Sequence, residues 1–206
     1  MKLATIPKLA AVAQLETERL VLRQWQETDK IPFAQLCSDP QVMRYFPEQL
    51  NKNESDALSQ KIKALIDERG YGFWAVSLKE NIPHVPTTLT TNRFIGFVGL
   101  HWQTQVMPDQ PFMEIGWRLH RHFWRQGYAL EAAKSALAFA FETLTLNQVY
   151  AFTATANIPS QKLMTRLGMQ NQNRDFAHPA LPSGHALQAH CLYAITRQQF
   201  EKLNLV

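Results

Sequence analysis

The chain is poor in cysteine, with Cys37 and Cys191 alone among 206 residues. They lie far apart, with no CxxC and no histidine cluster beside either, which argues against a disulfide framework and against a cysteine-based zinc site. Their apolar neighbours point to buried, reduced thiols and so to a reducing, cytoplasmic setting. Glycine is scarce too, at eight residues. Neither the Gly-Lys-Ser/Thr ending of a Walker loop nor the three spaced glycines of a dinucleotide fingerprint occurs. No run of five Lys/Arg occurs, so the formal net charge of +4 is dispersed and a nucleic-acid face is not expected. No apolar run approaches the length of a membrane span, so no membrane partner is expected. Ala11-Val12-Ala13 looks like a signal-peptidase site, but Pro7 and Lys8 break the apolar stretch before it, and secretion is not expected.

What is present suits a soluble globular protein: 46% hydrophobic and 18% charged residues, in a length that one domain with a sizeable core accommodates. Residues 1–14 are expected to be a flexible arm and 15–206 a single domain. Residues 18–25 alternate as a strand. Thr28 and Asp29 then start a helix carrying Phe33 and Leu36, and Pro40 opens a second short helix over 41–46, closed by Pro47. An amphipathic helix is predicted over 55–69, with Ser55 as cap and Gly70 behind it. Strands follow at 72–77 and 94–101, the latter with two glycines that suit a bulge or a close backbone approach. Loops are expected over 81–92, 103–111 and 174–184. Strands at 148–154 and 187–195, a helix from 157 to 167 ended by Gly168, and a last helix over 196–203 complete the chain.

The stretch 113–141 organises the rest. Ile115, Trp117 and Leu119 recur at strand period, whereas Leu130, Ala133, Leu137, Ala140 and Phe141 recur at helix period. The change falls at Arg125-Gln126-Gly127-Tyr128-Ala129. A glycine there lets the backbone turn, and the new helix aims free N–H groups and a partial positive charge into the turn. Two readings stand at this point: a plain turn glycine before a core helix, or an anion site that suits a diphosphate, with Arg125 adding charge.

Trp124-Arg125-Gln126-Gly127-Tyr128-Ala129 resembles the acetyl-CoA-binding motif of the GNAT N-acetyltransferase superfamily, Gln/Arg-x-x-Gly-x-Gly/Ala, with Trp124 standing where Gln or Arg is usual. The longer FWRQGYALEAA is similar to the ribosomal-protein N-terminal (RimJ/RimL-type) branch. The run from Asn157 through Ser160, Met164 and Arg166 to Gly168 and Met169 resembles the second GNAT motif with its spacing kept. Two such motifs in the right order reinforce each other. The resemblance covers roughly residues 15–200. It implies a mixed α/β fold with a twisted, mostly antiparallel sheet splayed at the cofactor site and helices on both faces, the first helices lying over the acceptor side. It also implies acetyl-CoA as cosubstrate without a metal, and an amine acceptor that is a protein N-terminus or a small molecule, in a monomer or homodimer.

The same resemblance assigns the site. Gly127, Tyr128 and Ala129, with Arg125 and Gln126, would hold the diphosphate; main-chain groups of Trp117, Arg118 and Leu119 would pair with the pantetheine arm. Asn157 and Ser160 would bind the same arm, and as a plain helix cap Asn157 would serve equally well. Glu114 stands where several family members carry a glutamate that works through water, and is the candidate base; the alternative is a Glu paired with a strand neighbour such as Arg118. Met164 replaces the tyrosine that many members use as acid, leaving Ser160 or a water it holds as the substitute. A non-catalytic acyl-CoA-binding module, which would keep the cradle and drop the chemistry, rests on that methionine. His120, His122, His178, His185 and His190 follow no zinc spacing; His178 and His190 would line the acceptor cavity. Trp25, Trp74, Trp102 and Trp117 read as core first and acceptor wall second.

Overall fold

Period-two stretches become strands and period-3.6 stretches become helices, in a computed structural model that describes residues 6–80, 93–104 and 111–204. The expected loop over 81–92 and most of that over 103–111 lie outside the described residues. The strands are β1 (Leu15–Glu16), β2 (Leu20–Arg23), β3 (Phe73–Leu78), β4 (Phe94–Gln103), β5 (Phe112–Leu119), β6 (Gln148–Ala154), β7 (Gln170–Asn171), β8 (Phe176–Ala177) and β9 (Ala189–Thr196). They form one sheet in the order β1-β2-β3-β4-β5-β6-β9-β7, with β8 also on β9. Every pairing is antiparallel except β5 with β6. That parallel pair is held at one register position, Glu114↔Tyr150, so the sheet splits beyond it, as expected. One of the two β4 glycines, Gly96, lies opposite Val76, where the β3 register shifts to a bulge before Ser77.

The helices are α1 (Lys30–Ser38), α2 (Pro40–Met43), α3 (Lys52–Arg69), α4 (Tyr128–Ala138), α5 (Ile158–Arg166) and α6 (Arg197–Asn204). They cover both faces. Register puts Leu22, Val76, Val98 and Trp117 on one face, where Trp74 meets Phe139 just after α4 edge-on at 5.3 Å. Arg23, Ala75, Phe97 and Arg118 share the other, where Phe33 of α1 packs on Trp25 and Phe97. A continuous buried cluster runs through both.

Boundaries depart from the sequence reading in several places; the short helix expected over 41–46 ends at Met43, and β7 falls where no strand was expected. Helix α3 starts three residues early because Asn51 and Glu54 form a reciprocal capping box; Ser55, the expected cap, is buried inside the helix and donates to the Lys52 carbonyl at 2.9 Å. Helix α4 does not run on to Phe141: after Ala138 it widens into a π turn, Phe139–Thr143. Phe139 must meet Trp74 and Tyr71 while Phe141 meets Phe200, and a π turn points two rings closely spaced in sequence at different partners. The expected loop 174–184 carries β8, paired to β9 at Phe176↔His190. Finally, the described part of the expected flexible arm is tied down. Leu9 N donates to Arg69 O at 2.9 Å, Ala13 N to Gly70 O at 2.7 Å, and the Trp74 indole to Ala13 O at 2.8 Å.

Candidate active site

A cavity of about 1010 Å³ opens where β5 and β6 part, bounded by the segment 121–130, α5 and the α2 region. Its first wall is the turn before α4. Gly127 caps that helix at φ +86°, a left-handed conformation that suits glycine, and Arg125 is also left-handed at φ +60°. Among the described residues the main-chain N–H groups of Gly127, Tyr128, Ala129 and Leu130 have no protein acceptor, while the first intrahelical bond runs from Glu131 N to Gly127 O at 3.0 Å. Four free amides at a helix start form an anion cradle.

The cradle is fastened from behind. Arg19 donates to both Glu131 Oε2, at 2.7 Å, and the Gln126 carbonyl, at 3.0 Å, with its guanidinium 4.4 Å from the Tyr128 ring centre. Thr17 Oγ1 also donates to Glu131. Burial works to raise the Glu131 carboxyl, but these bonds outweigh it and hold the group below the usual carboxylate range. Trp124 sends its indole N–H to the Leu119 carbonyl at 2.7 Å, so the residue that replaces the usual Gln or Arg locks the turn to the end of β5. It also occupies one main-chain acceptor of the 117–119 stretch. Gln126 turns back to the His122 carbonyl, and Arg121 pairs with Asp39, the cap of α2. Arg19 was not anticipated: it lies over a hundred residues away in sequence and carries no local signal.

The second wall holds Asn157 and Ser160. Asn157 caps α5, accepting from Ser160 N, and its amide donates to Thr153 Oγ1 at 2.8 Å and Ser160 Oγ at 3.1 Å. Trp117 Nε1 also donates to Ser160 Oγ, at 3.4 Å. With its oxygen accepting twice, the serine hydroxyl keeps its own hydrogen to give. Met164, four residues on, is buried at 2% exposure and is not part of the cavity wall.

The third wall faces α1 and α2. Glu114 does not pair with Arg118. Among the described residues its one side-chain hydrogen bond comes from the Gln103 amide, which donates to Oε2 at 3.3 Å. Desolvation raises the Glu114 carboxyl to about 7, partly offset by that bond. Gly116 leaves room beside it for Phe73, whose ring would lie 3.0 Å from an added Cβ. Phe152, His178 and His190 close the far side; the two imidazoles are 4.7 Å apart, and burial lowers both. Of the tryptophans, Trp25 and Trp74 are core, Trp102 is half-buried, and Trp117 lines the cavity. Among the described residues no group of three His, Cys, Asp or Glu gathers as a metal site, and no helix is long and apolar enough to cross a membrane.

Comparison with known proteins agrees with this geometry. A family model described as an acetyltransferase (GNAT) domain matches residues 19–170. The N-acetyltransferase p20 of Bacillus licheniformis, itself uncharacterised, is 31% identical over 166 residues, covering 79% of this chain and 86% of that protein. The uncharacterised N-acetyltransferase YnaD of Bacillus subtilis is 26% identical over 190 residues, covering 90% and 98%. Among solved structures, a GNAT-family acetyltransferase from Bacillus anthracis superposes with a TM-score of 0.71 at 23% identity, over 90% of this chain and 99% of that one. A Vibrio cholerae protein proposed to be a ribosomal-protein-serine acetyltransferase superposes with a TM-score of 0.66 at 18% identity, over 89% and 97%. At those identities the two structures share the fold.

Proposed function

Because the chain belongs to the GNAT acetyltransferase family, we propose that it moves an acetyl group from acetyl-CoA to a primary amine by direct attack with both substrates bound. The observation that carries this reading is the coincidence in one cavity of four unpartnered amides and a Glu114 carboxyl raised to about 7. The cavity is large enough for the cosubstrate, and the cradle of Gly127, Tyr128 and Ala129, flanked by Arg125 and Gln126, matches a diphosphate in charge and in donor number. The main chain of Trp117 and Arg118, with Asn157 and Ser160, would hold the pantetheine arm; Leu119 offers less, its carbonyl being taken by Trp124.

Bound there, acetyl-CoA supplies an acetyl group activated as a thioester. Glu114 takes a proton from the incoming ammonium, directly or through one water, so that the nitrogen attacks with its lone pair free. Near pH 7 a carboxylate of pKa about 7 is half ionised and as basic as it can be while still available. The demand is modest for a weakly basic acceptor: neutralising an α-amine costs about 1 kcal/mol at pH 7, against about 4.6 for a lysine. Ser160 offers a hydrogen bond from its free hydroxyl to the departing thiolate sulfur, which takes up the proton that the nitrogen sheds as the tetrahedral adduct collapses. A protein N-terminus, as in the ribosomal-protein branch that the FWRQGYALEAA stretch is similar to, or a small amine fits this chemistry. The reducing, cytoplasmic setting rests on the buried free thiols of Cys37 and Cys191.

The competing reading, a binding module without turnover, rested on Met164; with Met164 in the core, Ser160 is the group of the second motif positioned to donate. The test is thiol release from acetyl-CoA with a panel of amines and N-terminal peptides. An acetyltransferase releases CoA in proportion to acetylated amine, and a module that only binds releases none above background.

A further inference from the structure

Arg118 is a cation held largely out of water with no carboxylate against it among the described residues. Arg19, Arg23 and Arg121 each pair with one, respectively Glu131, Asp29 and Asp39. The Arg118 guanidinium instead lies 3.9 Å from the Phe46 ring centre and 5.4 Å from that of Phe97. Its Nη1 donates to Cys37 Sγ at 3.5 Å. Burial pushes that thiol up, so it stays neutral and offers no counter-charge. Arg118 Nε is shut off from solvent with no hydrogen-bond partner. Most of a rigid fork of donors is therefore uncommitted, and the residue lines the cavity.

Its position says what it faces. Glu114, Gly116 and Arg118 lie on the same face of β5, opposite His101, Gly99 and Phe97 of β4. Between the two charged residues the floor is aromatic, with Phe73 under Gly116 and Phe97 beside Arg118. Four residues of strand separate their Cα atoms by roughly 13 Å, and both side chains extend over that floor. This face looks toward α1 and α2, away from the α4 amides assigned to the diphosphate. The strip is thus an amine-handling carboxylate, an apolar floor and an unpaired cation within one short span.

We propose that Arg118 binds a carboxylate of the acceptor, so that the acceptor class is a primary amine carrying a carboxylate a few bonds away. The inference rests on the acetyl-transfer reading for the identity of the amine end. The carboxylate has two sources, the C-terminus of a small zwitterion or an acidic side chain close behind a protein N-terminus.

The test uses matched pairs, short peptides against their C-terminal amides and N-terminal peptides with Asp against Asn at the second position, so that amine basicity hardly changes. The wild-type enzyme should favour the carboxylate member of at least one pair by about ten-fold in kcat/KM, mostly through KM, as loss of a charge-assisted bond implies. Arg118→Gln should reduce the preference to within about two-fold, and Arg118→Lys should keep part of it. Titration of CoA into each variant, with affinity unchanged, shows that the fold and cradle survive. The same pairs titrated by calorimetry into CoA-saturated protein read the preference without turnover. Binding preference for the acids without thiol release would sink the transfer reading and leave this one standing. Equal use of acid and amide in both pairs, or a preference that survives Arg118→Gln, overturns the role of Arg118 and leaves acetyl transfer untouched.

Discussion

Glu114 shows how far a single residue can be read from the chain. The family resemblance, which puts a glutamate at this place in several members, marked it in the sequence, but its partner did not follow from spacing. Arg118 is a strand neighbour on the same face and the obvious counter-charge, yet the structure gives Arg118 to Phe46 and Cys37 and gives Glu114 the Gln103 amide. Which rotamer wins depends on α1 and α2 packing overhead, and that is not written locally. The consequence is a titration near neutrality. A base must be deprotonated, so kcat/KM should fall as pH drops through about 7. Glu114→Gln should remove that limb and lower kcat by roughly 10² to 10⁴, with acetyl-CoA affinity within about two-fold; a retained limb would move the base elsewhere.

Stability gives the same carboxyl an independent check. Its folded pKa lies above the unfolded value, so folding favours the protonated form. The contribution is fully present below about 4.5 and is lost as pH rises through about 7. Above that the buried carboxylate weighs against folding by up to about 3 kcal/mol. Urea denaturation should therefore show Glu114→Gln more stable than wild type at pH 8.5 and little changed at pH 4.5. Equal effects at both would mean the carboxyl is not desolvated.

At the scale of elements, the strand-to-helix turn was legible because its signal is local: a change of hydrophobic period with a glycine at the join. What holds the turn was not, since Arg19 and Thr17 arrive from the other end of the chain. Nor was the start of α3, where Asn51 and Glu54 lie just ahead of the apolar stripe that set the expected boundary. Gly127→Val must adopt φ +86° with a Cβ about 3.2 Å from Arg19 Nη2. It should lose most CoA affinity and about 1–2 kcal/mol of stability; calorimetric titration and denaturation read the two separately. Asn51→Ala should cost about 1 kcal/mol with no change in turnover, as thermal unfolding and the thiol-release assay would show.

For the whole molecule, the decisive feature is the sheet that splits after Glu114↔Tyr150, because the gap it leaves puts the cradle, Ser160 and Glu114 around one cavity. The family resemblance anticipated the split; composition and period did not, since strand pairing is settled between segments distant in sequence. The face opposite α4 is anchored by Arg23, which grips both oxygens of the fully buried Asp29 at 2.8 and 2.9 Å. Arg23→Met should take the guanidinium from that buried carboxylate, which keeps the Gln26 N–H at 2.8 Å, and cost about 3 kcal/mol, read as a lowered denaturation midpoint.

The most direct measurement is an amide-resolved NMR titration of the protein with CoA. The N–H signals of Gly127, Tyr128 and Ala129 should move furthest and saturate together, with the Trp117 and Ser160 signals following the same binding curve. Saturable CoA binding that leaves those turn amides unmoved would place the diphosphate elsewhere and contradict the site described.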